Sequence, residues 1–97
     1  MRLRYTIPAL AELDAILDYL MLQSPNGAMR VQARIQHMVS LLPLHPKIGL
    51  RTKEPAIRRL ATPPYPYLIF YEPTETEIIV HAIRHAARNP SEMPGST

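Results

Sequence analysis

Cysteine is absent from this chain. Its absence excludes disulfides, thiolate metal sites and a cysteine nucleophile, and it suits a reducing cytosol, the expected location. Glycine is nearly as scarce, with Gly27, Gly49 and Gly95 the only three. They cannot form a glycine-rich phosphate loop, so P-loop and dinucleotide-binding readings fall away. Long apolar runs are missing too. None approaches the roughly 20 residues needed to cross a bilayer. No such run follows Met1-Arg2-Leu3-Arg4-Tyr5, so neither a secretory signal nor a membrane partner is expected.

What is present is a small basic chain of 97 residues with net charge +3. That length supports one domain with one core and marginal stability. Residues 1–90 are expected to form that domain and residues 91–97 an exposed flexible tail. The apolar fraction of 46% is ordinary for a globular protein, so disorder is not expected. Of the eleven cationic residues, nine lie at the N-terminus (Arg2, Arg4) or from Lys47 onward. Such a basic surface attracts nucleic acid or an acidic protein, although a merely solvated face would look the same.

The periodicity predicts an α+β order. Leu3 to Ile7 reads as an edge or first strand, ended by Pro8 at a position that opens a helix. Leu10, Leu13, Ile16, Leu17, Leu20 and Met21 then recur at helical spacing as far as Gln23, with Glu12, Asp14 and Asp18 mostly off the stripe. Ser24-Pro25-Asn26-Gly27 is a turn in which either Ser24 or Asn26 caps a second helix. That helix carries Ala28, Val31, Ile35, Met38, Val39 and Leu42 and stops at Pro43 and Pro46. Leu44 to Pro55 shows no period and reads as a loop. Three strands follow, Ile57 to Thr62, Tyr67 to Glu72 and Glu77 to Arg84, as an antiparallel meander. Pro63-Pro64 makes a stiff first connection and Pro73-Thr74-Glu75-Thr76 the second turn. The helical hairpin packs on one face of the sheet, and the other face is expected to be the open, functional one.

Several residues could carry chemistry. Strict alternation in the last strand would put Ile79, His81, Ile83 and His85 on one face. His85 stands at the strand end near Arg84 and Arg88, where neighbouring guanidiniums would disfavour its charged form and leave a potential general base. The alternative is a histidine that bonds the backbone and ends the strand. His81, within an apolar run, reads as a buried, hydrogen-bonded core histidine. No histidine pair has helical metal spacing, and no metal or cofactor is expected. Arg58 and Arg59 point to opposite faces, one available to a carboxylate and either able to bind phosphate. Tyr65, Tyr67 and Tyr71 could stack on a base, or could simply pack across strands.

Taken in order, the opening strand, the two helices, Pro46 with Gly49-Leu50-Arg51, Arg58, Tyr65-Pro66-Tyr67-Leu68-Ile69-Phe70-Tyr71 and His85-Ala86-Ala87-Arg88-Asn89-Pro90 resemble the RelE/ParE superfamily of bacterial toxins over nearly the whole chain. The closer likeness is to its ParE, plasmid-stabilisation branch. The resemblance implies a helical hairpin on a small antiparallel sheet and a toxin of a type II toxin–antitoxin module, assembled with a cognate antitoxin into hetero-oligomers. It implies that an acidic antitoxin segment docks on the hairpin, for which Leu13, Leu17, Leu20 and Ile35 are candidates, and on an exposed sheet edge.

Two activities divide the superfamily: RelE-like members cut messenger RNA on the ribosome, and ParE-like members act on DNA gyrase and stall replication. The cutting branch carries Arg where this chain has Leu68, and a catalytic Tyr in a tail where this chain has none after Tyr71. The resemblance therefore implies gyrase as target, with Arg58, Arg84, His85 and Arg88 as target contacts or their supports and no catalytic residue of its own. Two alternatives stand beside it. One is a ribosome-dependent endoribonuclease using Arg58, His85 and Arg88, with Arg59 nearby; the other is an inactive member that only binds its antitoxin. A DNA-binding module is disfavoured because no recognition helix with clustered Arg and Lys is evident.

Overall fold

A computed structural model describes residues 1–87; Arg88 and the expected tail at 91–97 lie outside the described residues. The chain runs β1 (Arg2–Tyr5), α1 (Ile7–Gln23), α2 (Pro25–Leu41), β2 (Leu50–Arg51), β3 (Arg58–Thr62), β4 (Tyr65–Pro73) and β5 (Glu77–His85). The helices pack on one face of a five-stranded sheet ordered β1-β5-β4-β3-β2. The α+β architecture, the hairpin and the β3-β4-β5 meander match expectation.

Each helix start has a local cause. The Thr6 hydroxyl accepts the Ala9 N–H at 3.1 Å and caps α1, with Pro8 in the first turn, where it needs no donor. Ser24 serves both helices. Its N–H donates to Leu20 O at 2.7 Å, closing α1, and its hydroxyl accepts the Gly27 N–H at 3.1 Å, opening α2. Of the two possible caps for α2, the structure selects Ser24, with Pro25 at the first helical position. This one-residue hinge forces the helices antiparallel.

α2 buries its stripe as the spacing predicts: Ala28, Val31, Ile35, Val39 and Leu42 are buried, and all but Ala28 join one core with Leu60, Tyr67, Ile69, Tyr71, Ile78, Val80 and Ile83. α1 does not. Only Ala9 is fully buried, while Leu13, Ile16, Leu17 and Leu20 are half-buried and Leu10 and Met21 are exposed. Ile35, expected at the antitoxin surface, has 0% exposure. It is a core residue, and that expectation is corrected; truncating such a side chain costs about 2–5 kcal/mol.

Three further departures concern the sheet. A fifth strand, β2, lies in the segment read as a loop; its two residues are too few to show a period. β1 pairs parallel with β5, so the sheet is mixed rather than wholly antiparallel. Finally, the β4–β5 register shifts between Phe70 and Tyr71, where Phe70 faces Ala82 but Tyr71 faces Val80. His81 is the extra residue of a bulge. The bulge breaks the expected alternation: Ile78 and Val80 join Ile83 on the helix side, whereas Ala82 belongs to a second cluster with Ile57 and Phe70. This cluster, with Leu68 against it, partly covers the face expected to be open.

Candidate functional site

β1 is shorter than β5. Its pairing ends at Tyr5 opposite Val80, and the chain then turns into α1, leaving the far end of β5 paired with β4 on one side and with no strand on the other. Side chains complete that edge. The Thr6 hydroxyl donates to His81 O at 3.4 Å, and Glu12 Oε1 accepts the Ile83 N–H at 3.1 Å. The other oxygen of Glu12 pairs with Arg84 Nε. One carboxylate on α1 thus satisfies an edge amide and a guanidinium together, in a site where each side chain is less than a third exposed. The sequence placed Glu12 off the apolar stripe and gave it no role. Only the end of β1 creates its position, and nothing local in the sequence signals that.

Beside this clamp a groove of about 490 Å³ opens between α1 and the end of β5. Its floor and walls include Ile16, Tyr19, Tyr67 and Ile83, with Glu12, Arg84 and His85 at its polar end. His85 stands edge-on to Tyr67, with ring centroids 5.5 Å apart and planes at 86°. Its Nδ1 accepts the Ala87 N–H at 3.0 Å. His85 thus bonds the backbone at the strand end through this nitrogen, which is not free to take a proton from a substrate. Burial, with Tyr19 nearby, raises the pKa of Tyr67 above its ordinary value.

Arg58 is elsewhere. Along β4 its partner Tyr71 lies four residues from Tyr67, the partner of His85. With two strand spacings across, this puts the Cα of Arg58 roughly 16 Å from that of His85. Its guanidinium donates to Gly49 O at 2.9 Å and to Lys47 O at 3.3 Å, so it binds loop carbonyls rather than the expected carboxylate. The Tyr71 hydroxyl completes the same network, donating to Pro46 O at 2.8 Å and accepting the Gly49 N–H at 2.9 Å. Gly49 is required by this closeness: a Cβ there would lie 2.7 Å from Arg59 O and 2.8 Å from the Tyr71 ring. Burial raises the Tyr71 pKa, opposed by the Gly49 hydrogen bond and the Arg58 charge. Tyr67 and Tyr71 are core residues that pack across strands, although Tyr67 also lines the groove.

Arg58, Arg84, His85 and Arg88, expected as target contacts or their supports, fall in different places. The structure joins Arg84 and His85 at the groove, places Arg58 in a separate structural network, and does not describe Arg88. His81 is half-buried rather than buried, with Nε2 2.9 Å from Glu72 Oε1. No group of three or more His, Cys, Asp or Glu able to hold a metal occurs among the described residues, and no helix among them is long and apolar enough to cross a membrane.

Comparison with known proteins agrees along nearly the whole chain. Toxin RelE2 of Caulobacter vibrioides is 37% identical over 84 residues, covering 87% of this chain and 93% of the relative. Y4kP of Sinorhizobium fredii is 33% identical over 85 residues, covering 88% of each. A solved structure described as the chromosomal ParDE TA system from P. aeruginosa superposes with a TM-score of 0.74 at 28% identity, covering 88% of this chain and 95% of that one. Residues 3–90 match the family described as the ParE toxin of the type II toxin–antitoxin system parDE, and the chain belongs to that family.

Proposed function

We propose that this toxin acts on DNA gyrase by binding it, and that it is not a ribonuclease. The observation that carries the reading is the separation of Arg58 from His85, with both groups already engaged by the fold. RNA cleavage needs a base and a group that stabilises developing charge at one scissile phosphate. Two residues whose Cα atoms stand roughly 16 Å apart, one with its guanidinium turned to the Gly49 and Lys47 carbonyls, are poorly placed to serve one phosphate. Leu68 supports the same reading, standing where the RNA-cutting branch carries Arg. A binding toxin needs shape and charge only, and the groove with Arg84 and His85 at its rim supplies both.

A supercoiling and DNA-cleavage assay with purified gyrase tests this. The parent should abolish supercoiling or trap cleaved DNA, and the Arg84→Ala/Arg88→Ala variant should do so at least tenfold less well. No effect from folded, antitoxin-free protein would refute it. The name RelE2 borne by the Caulobacter relative favours the other branch. Messenger RNA end mapping after brief induction would reveal it as new cuts at codon boundaries.

As a type II toxin the chain has a cognate antitoxin as partner. We place the antitoxin on α1, where half-buried Leu13, Leu17 and Leu20 continue into exposed Leu10 and Met21 along one face. An amphipathic or extended antitoxin segment would complete the burial that the sheet leaves unfinished.

A further inference from the structure

Two donors at one end of the α1–β5 groove have no partner among the described residues. Tyr67 is only 6% exposed, yet its hydroxyl makes no hydrogen bond there. That oxygen is not sealed from outside either, so the little of Tyr67 that can be reached includes its hydroxyl. Phenylalanine would fill the same place in the core. A hydroxyl left unpaired in such a place costs stability unless something from outside bonds it. His85 is the second donor. The Ala87 N–H occupies its Nδ1, so the neutral ring carries its proton on Nε2, which is unpartnered among the described residues. The two rings stand edge-on to each other and line the same groove.

The rest of the groove restricts what could bond them. Ile16, Ile83 and Ala15 make its surface apolar, and the exposed Tyr19 ring gives it an aromatic wall. Glu12 accepts from the Ile83 N–H and pairs with Arg84, so the two charges meet each other. The polar end therefore offers donors without a surplus cation. A phosphate dianion would lack the countercharge that its desolvation demands, and a cation would find the carboxylate already engaged. A single carboxylate is matched by two charge-assisted hydrogen bonds. A flat ring attached to it is matched by the apolar surface and by Tyr19. The volume of about 490 Å³ lies within the span of small-molecule sites, about 300–1,000 Å³.

We propose that this groove binds a small aromatic carboxylic acid. The ring lies between Tyr19 and the surface formed by Ile16 and Ile83, and the carboxylate accepts from the Tyr67 hydroxyl and from His85 Nε2. Bound acid covers the rim at Arg84 and His85, so it competes with any protein that the groove receives.

The test is a titration of isotope-labelled protein with naphthoate, followed through amide resonances. Naphthamide, cyclohexane carboxylate and acetate are run in parallel. Saturable shifts are expected at residues 12–19 and 83–87 and not at Leu50–Arg51, with a Kd of about 1 mM or tighter. Each control should bind at least fivefold more weakly, since the first lacks the charge, the second the flat ring and the third any ring. Tyr67→Phe should weaken naphthoate binding at least fivefold while unfolding as the parent does. Ala15→Trp, which fills the groove from an exposed helix position, should abolish it. Absence of saturable shifts, shifts centred elsewhere, a control that binds as tightly, or parental affinity in either variant would each overturn the proposal. None of these outcomes depends on gyrase.

Discussion

Replacing Tyr71 by Phe removes one oxygen and leaves the ring in place. The prediction is a large loss of stability from that small change. In the parent the hydroxyl accepts from the buried Gly49 N–H and donates to Pro46 O. The substituted ring would leave the Gly49 amide facing a C–H edge, where water has little access. An orphaned buried donor costs about 1–3 kcal/mol, and the lost bond to Pro46 is partly recovered by solvent, so a total of about 2 kcal/mol is expected. Against a total stability of about 5–15 kcal/mol for a domain of this kind, that lowers Tm by roughly 10 °C. Urea unfolding followed by circular dichroism should show a reduced midpoint at unchanged slope. Tyr67→Phe is the control, since its hydroxyl makes no hydrogen bond among the described residues, and it should stay within about 0.5 kcal/mol of the parent. If Tyr71→Phe also stays within that range, the hydroxyl does not fasten the loop.

Other perturbations reach other parts of the argument. Glu12→Ala should destabilise by about 1–3 kcal/mol, because it orphans the Ile83 amide and removes the Glu12 carboxylate from Arg84; Glu12→Gln, which keeps an acceptor, should cost less, and denaturant melts of the two separate the hydrogen bond from the charge. Tyr71→Phe and Arg58→Met act on one loop, so their double-mutant cycle should give a coupling of at least about 0.5 kcal/mol; strict additivity would show two independent anchors. Stability should also fall in alkali. Tyr5, Tyr67 and Tyr71 all have pKa values raised by burial above the ordinary 10.0. The folded state therefore holds these protons more tightly, and the stabilisation is full below about pH 10 and lost as pH rises through the folded values. Tm measured against pH alongside tyrosinate absorbance should show unfolding and ionisation together; an early, separate ionisation of all the tyrosines would contradict it. At the acid end Arg4 lowers the pKa of exposed Glu77 by hydrogen bonding, so the small contribution of that pair is present above the ordinary carboxylate range and lost as pH falls.

The helices were legible because their signals are local. Ser24 caps, Pro8 and Pro25 open, and the α2 stripe recurs at one spacing that only a helix satisfies; the Thr6 cap was missed, because the first strand reads as far as Ile7 and ends at Tyr5. The β3-β4-β5 meander was legible too, but the two edge strands' pairing and the β4–β5 register were not. Nothing in Val80-His81-Ala82-Ile83 announces a bulge, since each residue suits either face; the shift arises from pairing with β4, and it moved His81 off the face that alternation assigned. β2 owes its existence to β3, because Leu50 and Arg51 become a strand only opposite Arg59 and Arg58. The α1 stripe misled in the other direction. Its spacing gave a helix correctly, but the sheet beneath it is narrow and β1 sits at the edge, so only Ala9 is fully buried and much of the apolar face stays outside.

The cations show why charge alone could not locate the site. From composition, Arg58, Arg84 and Arg4 are indistinguishable from Arg51, Lys53 and Arg59. In the fold the first three are engaged: Arg58 holds two loop carbonyls, Arg84 pairs with Glu12 and Arg4 with Glu77. Their desolvation and ordering are already compensated inside the chain, so recruiting one for a new phosphate or carboxylate means breaking a native contact first. The second three carry no such contact among the described residues and can meet a partner without that loss. A guanidinium bound to two carbonyls is also poorly placed to follow the charge that develops during phosphodiester cleavage, which requires a donor aimed at the reacting oxygen. The fold thus sorts cations of one composition into two kinds, those it has already engaged, Arg4, Arg58 and Arg84, and those it leaves exposed, Arg51, Lys53 and Arg59.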